Sequence, residues 1–262
     1  MEFSHKSRIL ARLLIILLHN AGLSFLLIRC GVSNDVKKVK NNQTITKLNL
    51  SYQRLKEIPS AVFELEHLKV LNLNHNKITK IPPEIGKLKH LEKLILSSNK
   101  LDSLPDEIGQ LKKLKKLSIH NNRISYLPNN IGKLEQLEIL RIGFNRLKKL
   151  PNEICNLPKL TQLYVGYNRL KTLPDSIGKL PLTNLFIHQN QINVLPDDFY
   201  DLTKLIRLNV SYAGPLFKFD QRICDMRRLE QLYIDIVTLN FSPRCLETRT
   251  RSNFRFNVII VE

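Results

Sequence analysis

A stretch of twelve residues, LRIGFNRLKKLP at 140–151, recurs in altered copies along most of the chain. One repeat of this size cannot bury an apolar surface alone, so the copies must stack on one another. The steps between copies are 23 residues, apart from one of 22 and one of 24. The period restricts the chain to an elongated solenoid with nine repeats, which start at Ile45, Leu68, Leu91, Leu114, Leu137, Leu160, Leu182, Leu205 and Leu229.

The constant residues predict the structure of one repeat. Leu140 and Ile142 alternate with variable residues, which indicates a short strand with one buried face. Proline follows each strand after a short loop and usually precedes acids, a pattern that predicts a short helical segment beginning near the proline. In six consecutive repeats an Asn stands at the strand exit, where a buried side-chain amide can bond loop backbone in its own coil and in the neighbouring one. These residues are Asn76, Asn99, Asn122, Asn145, Asn168 and Asn190.

The complete pattern, L-x-x-L-x-L-x-x-N-x-L-x-x-L-P-x-x-I-G-x-L, resembles the leucine-rich repeat family over residues 45–243. Its LPxxIGxL version is similar to the 23-residue class of bacterial leucine-rich repeat proteins and of intracellular Ras-group scaffolds in plants and animals. The resemblance implies an α/β repeat solenoid, a horseshoe with a parallel sheet on the concave face and short helical segments on the convex face. Glycines in the helical segments allow tight turning or close approach: Gly86, Gly109, Gly132 and Gly178.

Both ends of the repeat array depart from the pattern. Gln53 replaces the first Asn, and Ala213 and Val237 replace the last two. Terminal repeats of solenoids are commonly atypical because they cover the open core. We expect a lead at 34–44, about nine repeats at 45–243 and a C-terminal cap at 244–262, in which FRFNVIIV at 254–261 forms a closing strand.

The first 33 residues differ from the repeats in composition. Lys6, Arg8 and Arg12 precede an apolar run at 13–28, and small residues follow, an order typical of a secretory signal peptide. A signal peptide could be cleaved after Ser33. The alternatives for this segment are a lipid attached to Cys30, an uncleaved membrane anchor, and a cytosolic helix that caps the first repeat. We favour a secreted, cell-surface or membrane-associated protein, with a cytoplasmic location as the alternative.

Charge and cysteine spacing narrow the chemistry further. The first 33 residues contribute +3 of the formal net charge of +18, so the repeats themselves are basic and favour anionic partners. Cys155 and Cys224 lie three repeats apart, about 14 Å at the usual strand spacing, which is beyond disulfide reach. Cys224 and Cys245 lie on neighbouring coils, and an oxidising compartment would permit a bridge that the sequence leaves open. No zinc-ligand spacing is present, and no metal or cofactor is expected.

The variable residues of the strands predict a binding surface. Three positions in each repeat face outward, and of these 27 positions five are Lys or Arg and one, Asp235, is acidic. Small polar residues occupy the first repeats, whereas aromatic residues, His and Arg occupy the later ones, where Gly143 and Gly166 should leave them accessible. Such residues dominate protein interfaces, and in leucine-rich repeat proteins the concave face is the usual ligand surface. The candidate protein-binding residues are His120, Arg141, Phe144, Tyr164, Tyr167, Phe186, His188, Tyr212 and Tyr233.

These residues do not form a recognisable catalytic group. The face offers no carboxylate pair, His120 and His188 lie about 14 Å apart at the usual strand spacing, and no phosphate-binding fingerprint occurs. We therefore expect a protein that is not an enzyme.

Three functions fit the sequence. The first is an exported module that binds a protein with an acidic surface. In this function the N-terminal segment could also attach the protein to a membrane. The second is an intracellular scaffold like the Ras-group proteins. The third, less favoured, is binding of nucleic acid or an anionic polysaccharide by the basic residues that follow the Asn positions: Arg54, Lys77, Lys100, Arg123, Arg146 and Arg169. The oligomeric state is not predicted.

Overall fold

A computed structural model of the chain describes residues 45–248 and 257–261, and the N-terminal signal or anchor segment predicted at 1–33 lies outside them. The described residues form one sheet of ten parallel strands, in which each strand pairs with the next in sequence order. The horseshoe solenoid expected from the sequence is confirmed. The strands are β1 (Lys47–Asn49), β2 (Val70–Asn72), β3 (Lys93–Ile95), β4 (Lys116–Ser118), β5 (Ile139–Arg141), β6 (Gln162–Tyr164), β7 (Asn184–Phe186), β8 (Arg207–Asn209), β9 (Gln231–Asp235) and β10 (Asn257–Val261).

The strand register keeps equivalent residues of all repeats in line. Leu94 pairs with Leu117, which pairs with Leu140, and the row continues through Leu163. Each of these leucines is fully buried, so one face of every strand joins a single continuous core. A shift of one residue would expose this row.

The outer side of the solenoid consists of single-turn 3₁₀-helices. They are η1 (Ser60–Glu64), η2 (Pro83–Lys87), η3 (Asp106–Gln110), η4 (Asn129–Lys133), η5 (Asn152–Asn156), η6 (Ile177–Lys179), η7 (Asp197–Asp201) and η8 (Gln221–Asp225). All the repeat prolines except Pro174 sit one position before a helix, where the extended backbone of Pro105, for example, lets its carbonyl accept from the Ile108 N–H at 3.1 Å. Short i to i+3 turns fit because each coil has few residues left to return to the sheet.

The Asn side chains connect adjacent coils through hydrogen bonds, as predicted. Asn145 Oδ1 accepts from the Ile124 N–H of the preceding coil at 3.0 Å. Its Nδ2 donates to the carbonyls of Ile119 at 3.0 Å, of Ile142 at 3.0 Å and of Gly143 at 3.1 Å. The same arrangement recurs at the other five Asn positions. One side chain thereby satisfies loop backbone that has no strand partner.

The glycines of the helical segments are required by close approach of the next coil. A Cβ atom at Gly109 would lie 2.5 Å from the carbonyl oxygen of Asn130, and one at Gly132 would meet the carbonyl of Glu153. Of the two roles expected for these glycines, tight turning and close approach, the structure supports close approach.

The C-terminal end is closed by two short helices, a disulfide and a strand. The helices are α1 (Ile236–Asn240) and α2 (Arg244–Thr248). Cys224 and Cys245 are bridged, with their Cα atoms 6.1 Å apart, which answers the question that the sequence left open. β10 pairs in parallel with β9, so a strand is present within the predicted closing segment. Within residues 45–248 and 257–261, no helix has the length and apolar content needed to cross a membrane.

Candidate functional site

One row of candidate residues lies at the same position on neighbouring strands, because Arg141 pairs with Tyr164 and Tyr164 pairs with Phe186. The Arg141 guanidinium carbon lies 4.9 Å from the centre of the Tyr164 ring. The Tyr164 and Phe186 rings meet edge to face at 5.0 Å, and the Phe186 and Tyr233 rings lie 6.3 Å apart across Asn209. We call these four side chains the strand row.

A second row runs beside the first, where the chain leaves the strands. The His120 and Phe144 rings lie 4.9 Å apart, the Phe144 and Tyr167 rings stack at 4.0 Å, and the Tyr167 and His188 rings meet at 5.3 Å. Phe186 and His188, at 6.3 Å, connect this exit row to the strand row. Eight of the nine candidate residues are therefore joined through side-chain contacts, and we call these eight the aromatic patch.

Tyr212 is the ninth candidate, and its ring contacts none of the other eight in the part of the chain that the structure describes. Its hydroxyl donates a long bond of 3.5 Å to the carbonyl of Val261. Its backbone N–H donates to Asp235. Tyr212 is exposed but belongs with the C-terminal cap rather than with the patch.

The exit-row aromatics are held by an unusual backbone conformation. Phe144 and Tyr167 have φ angles of 54° and 56°, a left-handed region that bulky residues seldom occupy. Their N–H groups each donate at 3.0 Å to the next coil, to the carbonyls of Gly166 and His188 respectively. The equivalent residue has a positive φ in every repeat from Tyr52 to Tyr212, so the conformation belongs to the coil and fixes the direction of both rings.

Phe144 and Tyr167 are exposed, as expected from the sequence, and the two glycines beside them are in close contact with neighbouring groups. A Cβ atom at Gly166 would lie 2.6 Å from Nε2 and 2.7 Å from Nδ1 of His188, because the imidazole covers the glycine. A Cβ atom at Gly143 would lie 3.0 Å from the carbonyl oxygen of Gly166 and at an ordinary contact distance of 3.4 Å from Nδ1 of His120. Gly166 therefore makes room for the His188 imidazole, whereas Gly143 allows close approach of the backbone of the next coil.

Burial affects the charge of these imidazoles. It lowers the pKa of His188, whose buried Nδ1 has no hydrogen-bond partner among the described residues. Burial and the nearby Arg141 likewise lower the pKa of His120. Both shifts favour the uncharged imidazole at pH 7.

Cations collect at one side of the patch. Lys93 pairs with Lys116 across β3 and β4, and Arg141 lies on the next strand. Burial, together with Arg141 and Lys93, lowers the pKa of Lys116, which shows that this ammonium lies among like charges. Lys93 and Lys116 are half-buried and were not among the candidates from the sequence, although their shared strand position could have identified them.

Asp235, the one acid assigned to the exposed face, is instead buried. Its carboxylate accepts from the Tyr212 N–H at 2.7 Å and from the N–H and hydroxyl of Thr238 at 2.9 and 2.8 Å. Burial alone would raise its pKa, but the backbone donors of Thr238 and Tyr212 outweigh it and lower the pKa. The variable strand positions in the described part of the chain thus present no exposed carboxylate.

Two glutamines orient the tyrosines, a feature that sequence reasoning missed. Gln162 Oε1 accepts from the Tyr164 hydroxyl at 3.0 Å, and Gln231 Oε1 accepts from the Tyr233 hydroxyl at 3.4 Å. The sequence feature that could have indicated this hydrogen bond is the segment Gln-Leu-Tyr, which occurs in both β6 and β9.

A shallow depression on the convex side has a volume of about 380 Å³ and is lined mainly by polar residues of η5 and the loop before η6. Burial raises the pKa of its Cys155 thiol to about 11, so the thiol is protonated and a weak nucleophile at pH 7. No group of three His, Cys, Asp or Glu side chains suited to a metal occurs within 45–248 and 257–261.

Comparison with known proteins gives one family and several solved structures of the same fold. The profile of the leucine-rich repeat region matches residues 25–123 and 106–181. No curated protein sequence matches the chain significantly.

Three solved structures illustrate the likeness. InlJ from Listeria monocytogenes is 24% identical with a TM-score of 0.63 over 75% of this chain and 40% of that one. The ectodomain of the Arabidopsis thaliana receptor kinase GASSHO1/SCHENGEN3, solved with CASPARIAN STRIP INTEGRITY FACTOR 2, is 26% identical with a TM-score of 0.67 over 76% and 26%. The Arabidopsis HAESA ectodomain, solved with an IDA peptide hormone, is 26% identical with a TM-score of 0.62 over 72% and 34%. The chain spans less than half the length of each.

Proposed function

The chain belongs to the leucine-rich repeat family, and from that membership we propose that it is a non-catalytic module that holds a protein or peptide partner on its concave face. The proposal rests on one observation, the contact network of the aromatic patch. Rings that pack on one another in a fixed arrangement lose little conformational entropy when a partner covers them, and aromatic and Arg side chains are typical binding hot spots.

The solved relatives support a protein or peptide as the partner. GASSHO1/SCHENGEN3 and HAESA are 26% identical to this chain, and both ectodomains were solved with a peptide or protein ligand. Those ligands are specific to those receptors. For this chain they support only the class of the partner, a protein or a peptide.

The charges beside the patch support an acidic partner. Lys93, Lys116 and Arg141 lie on three adjacent strands, and no exposed carboxylate shares the variable strand positions of the described residues. A carboxylate of the partner placed here would relieve their mutual repulsion, while its apolar side chains would cover Tyr164 and Phe186.

Two observations support an exported protein. The disulfide between Cys224 and Cys245 is the kind of bond that persists in oxidising compartments, and receptor ectodomains are among the related structures. The intracellular scaffold, the alternative from the sequence, would place this bridge in a reducing compartment. The N-terminal segment would then be a signal peptide or membrane anchor, and mass spectrometry of the mature N-terminus distinguishes the two.

Selection from a random peptide library tests the binding mode and does not require an identified partner. Peptides selected on the full chain should combine acidic with aromatic or aliphatic residues. In calorimetry, Tyr164→Ala and Phe186→Ala should each weaken a selected peptide by about 1–3 kcal/mol, as expected of an aromatic anchor. Asn72→Ala and Ser97→Ala, on the earlier strands of the same face, are the matched controls and should change affinity far less. Equal losses in all four variants would mean that the whole face binds, and no loss at Tyr164 and Phe186 would remove the proposal.

Gly166→Ala provides a variant that leaves the aromatic residues in place. The new methyl group would displace the His188 imidazole, the end of a side chain with rotatable bonds, and break its contact with Tyr167. The melting temperature should change little, whereas selected peptides should bind more weakly if the packed patch is what they recognise. Unchanged affinity would show that His188 and the exit row are not part of the site.

A further inference from the structure

A second surface of the molecule lies on the loops that leave the strands, between Arg54 and Pro174. We call it the exit edge. In each of the first six repeats the residue directly after the Asn position is Lys or Arg, and all six side chains are exposed. These six cations are Arg54, Lys77, Lys100, Arg123, Arg146 and Arg169.

Backbone hydrogen bonds hold the six cations in single file. The N–H of Lys100 donates to the carbonyl of Ile78 in the preceding coil at 2.9 Å, and that of Arg123 donates to Leu101 at 2.9 Å. The N–H groups of Lys77, Arg146 and Arg169 make the equivalent bonds at 2.7 to 2.9 Å. The spacing of the row therefore follows the strand spacing of about 4.8 Å, and five steps span about 24 Å.

None of the six cations forms an ion pair in the described part of the chain, although acids on other faces do pair. Glu92 contacts Lys69 and Lys115, and Glu135 contacts Lys112. The exit loops carry five further lysines and two acids, Glu57 and Asp102, all exposed. Like charges held this close repel one another, and an anionic ligand would remove that repulsion.

We propose that the exit edge binds a linear anionic polysaccharide, with sulfate or carboxylate groups placed along the file of cations. Such a polymer carries its charges along one line, at intervals close to the length of one sugar ring, which is similar to the strand spacing. Four of the six cations are arginines, whose planar guanidinium groups pair with sulfate or carboxylate oxygens through two hydrogen bonds.

The neighbouring aromatic rings argue against a nucleic acid on this edge. Proteins that bind single strands place bases on exposed aromatic faces between their cations. Phe144 and Tyr167, the rings nearest to Arg146 and Arg169 in sequence, stack on each other at 4.0 Å and leave no gap for a base between them. Tyr52 and His75 stack on each other in the same way at 4.5 Å, and the repeats between the two stacked pairs have Ser98 and Asn121 in that place, so no continuous stacking platform runs along the edge. Duplex readout needs an element that enters a groove, and the edge consists of loops.

Charge neutralisation on the full chain, compared with a control of equal charge, tests the proposal. The edge variant combines Arg123→Gln, Arg146→Gln and Arg169→Gln, which copies the neutral residue that the seventh repeat carries at this position, Gln191. The control variant combines Lys87→Gln, Lys133→Gln and Lys179→Gln, three exposed cations of the convex helices. Circular dichroism melting curves confirm that both variants remain folded.

Binding to heparin of defined length is measured by fluorescence anisotropy at several salt concentrations. The edge variant should bind roughly tenfold or more weakly at physiological salt, and its log-affinity against log-salt slope should fall by about three, one per cation removed. The control variant should retain the wild-type slope. Gln191→Arg should lengthen the file and raise the slope by about one.

The same assay with single-stranded DNA and with vesicles of phosphatidylcholine and phosphatidylglycerol separates the competing ligands. Heparin bound more tightly than both, with the loss confined to the edge variant, supports the proposal. Equal losses in the edge and control variants would show an effect of net charge alone and overturn it. Tighter binding of DNA or vesicles that depends on the edge would assign the surface to that ligand instead. None of these outcomes bears on the aromatic patch, which all the variants leave intact.

Discussion

Replacement of Asn145 by Ala tests whether the Asn side chains hold the coils together. Asn145 is buried and has contacts with four backbone groups in two coils. Within the described residues, its Oδ1 is the acceptor for the Ile124 N–H. The Ala variant would leave that N–H buried and unpaired, whereas the three carbonyl groups have other donors.

Those other donors limit the size of the loss. The Ile119 carbonyl also accepts from Asn122 at 3.0 Å, and the Ile142 carbonyl also accepts from Asn168 at 3.1 Å. The Gly143 carbonyl accepts from the Asn121 N–H at 3.0 Å. The dominant cost is thus one stranded buried donor, and Asn145→Ala should lower the free energy of unfolding by about 1–3 kcal/mol.

Asn145→Asp sharpens the test because it keeps the shape and the acceptor. It points a carboxylate at three carbonyl oxygens, so at pH 7 it should destabilise more than Ala does. The same repulsion and burial should raise the pKa of the new carboxyl in the folded chain above its unfolded value near 3.9. Between the two pKa values the folded chain binds one more proton than the unfolded chain, so the stability of this variant should be fully present below the unfolded pKa and be lost as the pH rises through the folded pKa.

Urea denaturation at pH 7 and pH 5 measures both variants against the wild type. Losses within about 0.5 kcal/mol in the Ala variant would refute the stranded-donor explanation. An Asp variant at least as stable as the Ala variant at pH 7 would refute the description of the three carbonyls as partners of Nδ2.

The core packing, the bridge and the buried imidazoles each give one further prediction. Leu140→Ala should cost about 2–5 kcal/mol in urea denaturation because the side chain is fully buried, and a wild-type midpoint would mean that the strand register is wrong. Cys224→Ala with Cys245→Ala should cost about 3 kcal/mol, the value for a loop closed over a separation of 21 residues, and an unchanged midpoint would show that the cap does not depend on the bridge. Because the pKa values of His120 and His188 are lowered in the folded chain, their contribution to stability should be complete above about pH 6.5 and lost as the pH falls below it. Melting curves should therefore show a smaller loss at pH 5 for His120→Asn and His188→Asn than for the wild type, and identical losses would contradict this.

The sequence was sufficient for the repeating parts of the fold. Leucine spacing predicts which strand face is buried, and Asn145 with its equivalents predicts the bonds between coils, because both depend on residues that recur at one position in every coil. The sequence did not predict which type of helix forms on the convex side, because a proline at the start is compatible with an α-helix and with the 3₁₀-helices that are present.

The sequence was insufficient where a side chain depends on its surroundings in the next coil. Asp235 occupies an outward position by alternation, yet the cap turns it inward to accept three hydrogen bonds. The His188 imidazole of the neighbouring coil covers Gly166, a contact that the pattern of a single repeat does not indicate. The bridge between Cys224 and Cys245 likewise required the fold of the last coil.

Site-specific photo-cross-linking in cells of the source organism tests the central claim most directly, that the partner covers the aromatic half of the concave face. A photoreactive phenylalanine analogue replaces Phe186 in one variant, Asn72 at the same strand position in a second, and the convex Lys87 in a third. We predict a covalent adduct with a protein at position 186, and far less at positions 72 and 87. Adducts of equal yield at all three positions, or an adduct at position 87 alone, would contradict the claim.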